Sequence, residues 1–80
     1  MLIIGTISEK RELVDKYGRA YLQIRTEDDG ENPNVFFVFH SNIRLENWAD
    51  LRVGQKYILT VRKNPVEYWE LLSFEKMLDS

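Results

Sequence analysis

Apolar and polar residues alternate along the first stretch of the chain, from Leu2 to about Val14. The two alternating sets at its start are Ile3, Gly5 and Ile7 on one side, and Ile4, Thr6 and Ser8 on the other. A period of two is typical of a β-strand, and a glycine within it favours a bend or bulge. Residues 15–18, Asp-Lys-Tyr-Gly, then predict a turn.

The second stretch, from Arg19 to Thr26, has the clearest alternation in the chain. One face carries Ala20, Leu22 and Ile24, and the other carries Arg19, Tyr21, Gln23 and Arg25. A slip of one residue would place charge in the core, so we expect Leu22 and Ile24 to be buried and Gln23 and Arg25 to be exposed. Residues 27–34 contain Gly30 and Pro33 among acids and amides, and predict a loop.

The third stretch, from Val35 to His40, is apolar in both of its alternating sets. Val35, Phe37 and Phe39 form one set, while Phe36, Val38 and His40 belong to the other. Because the first set contains no polar residue, we expect it to face inward. Phe36 and His40 then point outward.

The remaining segments predict a short helix and two more strands. Leu45, Trp48 and Leu51 recur at helical spacing, and we expect Trp48 to plug the end of a barrel. Tyr57, Leu59 and Val61 alternate with polar neighbours and predict a strand, with Tyr57 in the core. A turn at Asn64-Pro65 leads to a last strand over residues 67–76, whose two faces the pattern does not distinguish.

The length and composition point to one small domain. Eighty residues make a single domain over residues 1–80, and the absence of cysteine excludes a disulfide framework and thiolate metal sites. No apolar run approaches the length that spans a bilayer, so we expect a cytoplasmic protein with no membrane partner. Short strands separated by turns predict an all-β fold, and closure would remove exposed strand edges.

Several features resemble OB-fold nucleic-acid-binding domains. These features are the long first strand with Gly5, the second strand Tyr21–Thr26, the helix between strands three and four, and the segment Leu51–Tyr57. The last segment is similar to the helix exit of replication protein A-like single-strand binders, and the second strand to the anticodon-binding domains of class II tRNA synthetases. The resemblance implies a five-stranded closed Greek-key barrel with one short helix. An SH3-like barrel is the alternative fold.

The resemblance also implies where a ligand would lie. OB-folds bind single strands on the face of strands two and three, between the loops joining strands one to two and four to five. Bases need rings to stack on, and phosphates need cations. The candidate residues are Arg19, Tyr21, Gln23, Arg25, Phe36 and His40 on that face, Lys10, Arg11 and Lys16 in the first loop, and Arg62 and Lys63 in the second.

The sequence contains no catalytic constellation. His40 is the only histidine, and nothing in the pattern supplies the partners that a nucleophilic triad would need. Asp28 and Asp29 lie in a loop without the alternating spacing of a calcium site. We therefore expect no enzymatic activity, no metal site and no cofactor.

Two binding functions remain open. The first is single-stranded nucleic-acid binding, DNA or RNA, by stacking on Tyr21 and Phe36. The second is a protein-interaction module, a subunit of a larger complex or a self-associating chain, with Phe36, Val38, Ile58 and Trp69 as its apolar interface. The net charge of −2 favours the second function, whereas the placement of the cations favours the first.

Overall fold

A computed structural model of the protein describes residues 1–27 and 33–77. The described chain is mostly β-structure, with five strands and one short helix. In chain order these elements are β1 (Leu2–Val14), β2 (Ala20–Glu27), β3 (Val35–Phe39), a 3-10 helix (Leu45–Asp50), β4 (Lys56–Lys63) and β5 (Trp69–Lys76). The predicted strands, and a helix between the third and fourth of them, are confirmed. The acidic residues Asp28, Asp29 and Glu31 lie outside the described residues.

The five strands form one sheet in which every strand has two neighbours. β1 pairs antiparallel with β2 and with β4, β2 pairs with β3, and β4 pairs with β5. A single parallel pair, Phe37 with Glu70, joins β3 to β5. The sheet therefore closes on itself in the order β1-β2-β3-β5-β4.

The length of β1 lets one strand serve both neighbours. Leu2–Thr6 pairs with β4, and Thr6–Val14 pairs with β2, with a register shift between Ile7 and Glu9. Gly5 is buried against β2, where a Cβ atom would lie 3.1 Å from Cγ2 of Thr26. The glycine thus permits a close approach of the two strands, while the bulge itself lies further along β1.

The core confirms the predicted facing of β2. Leu22 and Ile24 are buried, Arg25 is exposed, and Gln23 is partly buried. Tyr57, Leu59 and Val61 of β4 are buried, as the alternation of that strand predicts, and Ile3 and Ile7 of β1 are buried beside them.

The predicted facing of β3 is wrong. Phe36 and Val38 are fully buried, whereas Val35, Phe37 and Phe39 are only half-buried. Phe36 pairs with Ile24, and Val38 pairs with Leu22. Residues opposite each other across a ladder share a face, so β2 draws Phe36 into the core and turns Phe37 and Phe39 outward.

The 3-10 helix places Trp48 in the hydrophobic core. The indole is 4% exposed, and its Nε1 donates to the carbonyl of Ile43 at 2.9 Å. Leu51 is buried as expected, but Leu45 is largely exposed, so only part of the predicted helix face packs inward. Within the part of the chain that the structure describes, no helix is long and apolar enough to cross a membrane.

Candidate nucleic-acid interface

Four aromatic rings form a closed cluster on the outer face of β2 and β3. Tyr21 lies 6.0 Å from both Phe37 and Phe39, measured between ring centroids. Tyr68 completes the circuit at 5.5 Å from Phe37 and 6.0 Å from Phe39. Each ring therefore contacts two others, and all four keep part of their surface in solvent.

Strand register and one turn bring these rings together. Tyr21 pairs with Phe39, and Gln23 pairs with Phe37, so the three rings occupy neighbouring positions on the same face. Tyr68 lies in the turn between β4 and β5, just before Trp69 begins β5. The outer face of β2 and β3 and the turn between β4 and β5 thus meet at this cluster.

The rings line the middle of a shallow groove. The central depression has a volume of about 270 Å³ and is lined by the four rings and Asp15. A second depression of about 280 Å³ continues past Arg19, His40 and Glu70. A third, also of about 280 Å³, extends in the other direction past Pro33, Glu67 and Trp69. Tyr68 borders all three depressions, which we call together the aromatic groove.

Asp15 holds the β1–β2 turn in a fixed shape at one end of the groove. Its Oδ1 accepts hydrogen bonds from the backbone N–H groups of Tyr17 at 2.8 Å and Arg19 at 2.9 Å. The Arg19 guanidinium lies 3.4 Å from Oδ2. These contacts lower the pKa of the Asp15 carboxyl, and the hydrogen bond from the Arg19 N–H has the largest effect. Desolvation of the carboxyl acts in the opposite direction. Gly18 has a φ of 80° and completes the turn.

A buried carboxylate holds the β4–β5 turn at the other side of the groove. Glu70 is 7% exposed. Its Oε2 accepts a hydrogen bond from Nη2 of Arg62 at 2.8 Å, and its Oε1 accepts one from Nδ2 of Asn64 at 3.3 Å. Because Asn64 begins the turn and Tyr68 ends it, these bonds help to position the Tyr68 ring.

Only some of the residues predicted for the strand 2–3 face line the groove. Tyr21 is a member of the ring cluster, and His40 and Arg19 line the second depression. Phe36 is not available for stacking, since it is fully buried. Gln23 lies between Tyr21 and Arg25 on the same face. Arg25 is exposed and pairs with Val35, at the end of β2 away from the β1–β2 turn.

The predicted cations are dispersed, and Lys10, Arg11, Arg19 and Arg62 each contact another group of the protein. Lys10 and Arg11 lie on β1 and not in the first loop, which corrects the prediction. The Lys10 ammonium donates to the carbonyl of Trp48 at 2.7 Å, over the 3-10 helix. Arg62 pairs with Glu70. Lys16 and Lys63 are exposed beside the two turns, and the Lys16 ammonium lies 5.1 Å from the centre of the Tyr17 ring.

Sequence reasoning missed Phe37, Phe39 and Tyr68. The sequence pattern predicts the first two in the core because their set in β3 is free of polar residues, although the other set is equally apolar at Phe36 and Val38. The signal that could have corrected this lies in β2. The inward face of β2 is unambiguous, and each residue of β3 must face the same side as the β2 residue with which it pairs. The sequence contains no such signal for Tyr68, because only the folded shape of the β4–β5 turn brings this ring to the groove.

Comparison with known proteins adds no further assignment, because no protein-family model, no curated protein and no solved structure matches the chain.

Proposed function

We propose that this chain is an OB-fold domain that binds single-stranded nucleic acid, DNA or RNA, in the aromatic groove. An OB-fold is a five-stranded Greek-key barrel whose strand 2–3 face and neighbouring loops bind oligonucleotides. The strand order β1-β2-β3-β5-β4 and the helix between β3 and β4 support this fold over an SH3-like barrel.

The single observation that carries the proposal is the ring cluster of Tyr21, Phe37, Phe39 and Tyr68. Partly exposed rings on a rigid sheet offer stacking surfaces, and each stacked base contributes about 1–3 kcal/mol. The groove extends past the ring cluster on both sides, which suits a few successive bases. Stacking accepts every base, so we expect little sequence selectivity.

Phosphate contacts play the smaller part in this proposal. Arg25, Lys16 and Lys63 are exposed around the groove, and among the described residues no carboxylate lies within 4.0 Å of their charged nitrogens. Asp15, Glu67 and Glu70 border the groove itself. The bases would therefore lie inside the groove, with the phosphates directed toward its cationic margins.

The test is a titration of a fluorescein-labelled oligo-dT and an oligo-U with the wild-type protein and four variants. Tyr21→Ala and Phe39→Ala should each weaken binding by about 1–3 kcal/mol, since each removes a stacking surface. Tyr21→Phe should bind nearly as well as wild type, because the ring remains. Ile4→Ala, on the exposed face of β1 beside β4, is the control and should leave the affinity unchanged.

Absence of binding to both oligonucleotides at low salt and high micromolar protein would contradict the proposal. A second candidate, a protein-interaction module, is favoured by the acidic residues bordering the groove, Asp15, Glu67 and Glu70. Its interface would be the ring cluster, since Phe36 and Val38, predicted for that role, are buried. Ile58 and Trp69 remain partly exposed.

A further inference from the structure

The second half of β5 has an open backbone edge. β3 pairs with β5 only at Phe37 and Glu70, so no described strand covers the far edge of β5 from Ser73 to Lys76. An uncovered strand edge presents N–H and C=O groups that can pair with another chain. This edge lies beside the 3-10 helix, and the depressions along it share no lining residue with the aromatic groove.

Strand register shows which main-chain groups point outward from this edge. Met77 N–H bonds to the carbonyl of Lys56 at 3.1 Å. Hydrogen-bonded and non-hydrogen-bonded pairs alternate along an antiparallel ladder, so the next pair, Tyr57 with Lys76, and the pair Leu59 with Phe74 are non-hydrogen-bonded. The N–H and C=O groups of Phe74 and Lys76 therefore point away from β4, toward the open side.

A groove lies along the open edge, with the 3-10 helix as its other wall. It consists of two adjoining depressions of about 400 Å³ and 360 Å³, which share Asp50 and Phe74. Leu72 and Ile43 contribute apolar surface to the first depression. We call this feature the edge groove.

The charge of the edge groove is opposite to that of the whole protein. Its charged lining residues are Arg44, Arg52 and Lys76, against the carboxylate of Asp50, and Arg44 also lies 3.5 Å from the carboxylate of Glu46 beside the groove. The protein as a whole has a net charge of −2. A ligand that fits these walls would carry negative charge, and its backbone would be extended in order to pair with Phe74 and Lys76.

We propose that the edge groove binds an extended acidic peptide segment of a partner protein, which adds to β5 as an extra strand. Main-chain hydrogen bonds to Phe74 and Lys76 supply the affinity in this mode, and pockets for alternate side chains supply the specificity. Apolar side chains of the peptide would contact Phe74 and Leu72. Its acidic side chains would face Arg44, Arg52 and Lys76. This proposal does not depend on the function of the aromatic groove.

The experiment uses the ¹⁵N-labelled protein, residues 1–80, and a blocked octapeptide of alternating valine and glutamate. The same titration is made with a valine–lysine octapeptide and with a valine–glutamate octapeptide that is N-methylated at its valines. The unmethylated acidic peptide should shift the amide resonances of residues 72–77 and of Arg52, the lysine peptide should not, and one of two N-methylated versions should lose the effect. N-methylation of the valines removes the N–H groups along only one edge of the peptide. A second version, N-methylated at its glutamates, removes the N–H groups along the opposite edge, so the two versions together test both ways in which the peptide could pair with β5.

Two substitutions at one position separate backbone pairing from charge. Lys76→Ala removes the ammonium but keeps the N–H, whereas Lys76→Pro removes both. Proline is tolerated at a strand edge whose N–H is not used within the sheet. We expect Lys76→Pro to bind about three- to tenfold more weakly than Lys76→Ala, the loss that one hydrogen bond represents. Tyr21→Ala should bind the peptide as wild type does.

Three results would overturn the proposal. The first is equal binding of the acidic peptide and both methylated peptides, and the second is equal binding of the acidic and basic peptides. The third is a shift of residues 72–77 on concentrating the protein alone, which would place a second copy in the groove. Loss of oligonucleotide binding alone would affect only the aromatic groove, so the two proposals fail separately.

Discussion

Phe36 and Phe37 are adjacent in the sequence and have opposite roles in the structure. Phe36 is fully buried opposite Ile24, while Phe37 reaches the outer face and contacts Tyr21 and Tyr68. Both are phenylalanine within the same apolar strand, so residue type alone does not separate them. The neighbouring strand decides, because a paired residue must share the face of its partner.

At the same scale, the Asp15 carboxylate predicts a change of stability with pH. Its folded pKa is lowered from the ordinary value of 3.8, mainly by the N–H of Arg19. A lowered folded pKa contributes stability that is complete above the unfolded pKa and is lost as the pH falls through the folded pKa. Asp15→Asn should therefore be less stable than wild type at neutral pH, and the difference should shrink below about pH 4.

The measurement is urea unfolding of both proteins between about pH 7 and about pH 2.5. A gap in the unfolding midpoint that stays constant down to the lowest pH would show that the charge of Asp15 does not stabilise the turn. Ser8, an exposed residue that is not titratable, provides the control variant Ser8→Ala, whose difference from wild type should not vary with pH.

At the scale of elements, the 3-10 helix depends on tertiary contacts. It is six residues long, and Arg44 at its start provides no side-chain cap. Isolated helices of this length are not stable in water. Trp48 anchors it from within, through burial and the bond to the Ile43 carbonyl, and Lys10 of β1 holds it from outside. A lysine expected to bind phosphate thus stabilises the fold.

Truncation of Trp48 tests this anchoring. Trp48→Ala should reduce the free energy of unfolding by about 3–5 kcal/mol, the usual cost of removing a buried aromatic side chain. Trp48→Phe should cost less, because it fills part of the space while losing the indole N–H. Leu45→Ala in the same helix is the control and should change stability by less than about 0.5 kcal/mol, since Leu45 is largely exposed. Urea unfolding measures the stability of all three variants. An unchanged unfolding midpoint for Trp48→Ala would show that Trp48 does not anchor the helix.

At the scale of the whole molecule, charge is distributed unevenly. The net charge is −2, yet the edge groove is cationic, and carboxylates border the aromatic groove. Net charge alone therefore does not predict which surface receives which ligand. Binding in the aromatic groove should rely on stacking more than on counterion release.

This distribution predicts a shallow dependence of oligonucleotide affinity on salt. The slope of log K against log salt scales with the number of neutralised phosphates, and few cations surround the groove. Arg25→Gln should weaken binding and reduce the slope by about one unit if Arg25 meets a phosphate. Arg62→Gln should leave the slope unchanged, because Arg62 is paired with Glu70.

Fluorescence titrations of labelled oligo-dT at several salt concentrations provide the measurement. A steep slope in the wild-type protein would show that many cations contact phosphates. Equal changes of slope in the two variants would show that Arg25 does not contribute more than Arg62 to phosphate binding. Circular dichroism of both variants distinguishes a loss of contact from a loss of fold.

The sequence by itself determined the strands and the inner faces of β2 and β4, because the alternation of apolar and polar residues indicates which side is buried. For β1 it determined the two alternating sets. It also determined the burial of Trp48 and the turn at residues 15–18. Within β3 it determined the strand but not its facing, since both sets of residues are apolar and either could enter the core.

Only the tertiary structure decided which side chains form the candidate surfaces. Phe37 and Phe39 face outward because β3 takes its register from β2, and Tyr68 joins them because Glu70, Arg62 and Asn64 fix a turn. The open edge of β5 likewise follows from the single pairing with β3. Each of these depends on contacts between residues distant in the chain, and a local period of two contains no information about which strands become neighbours.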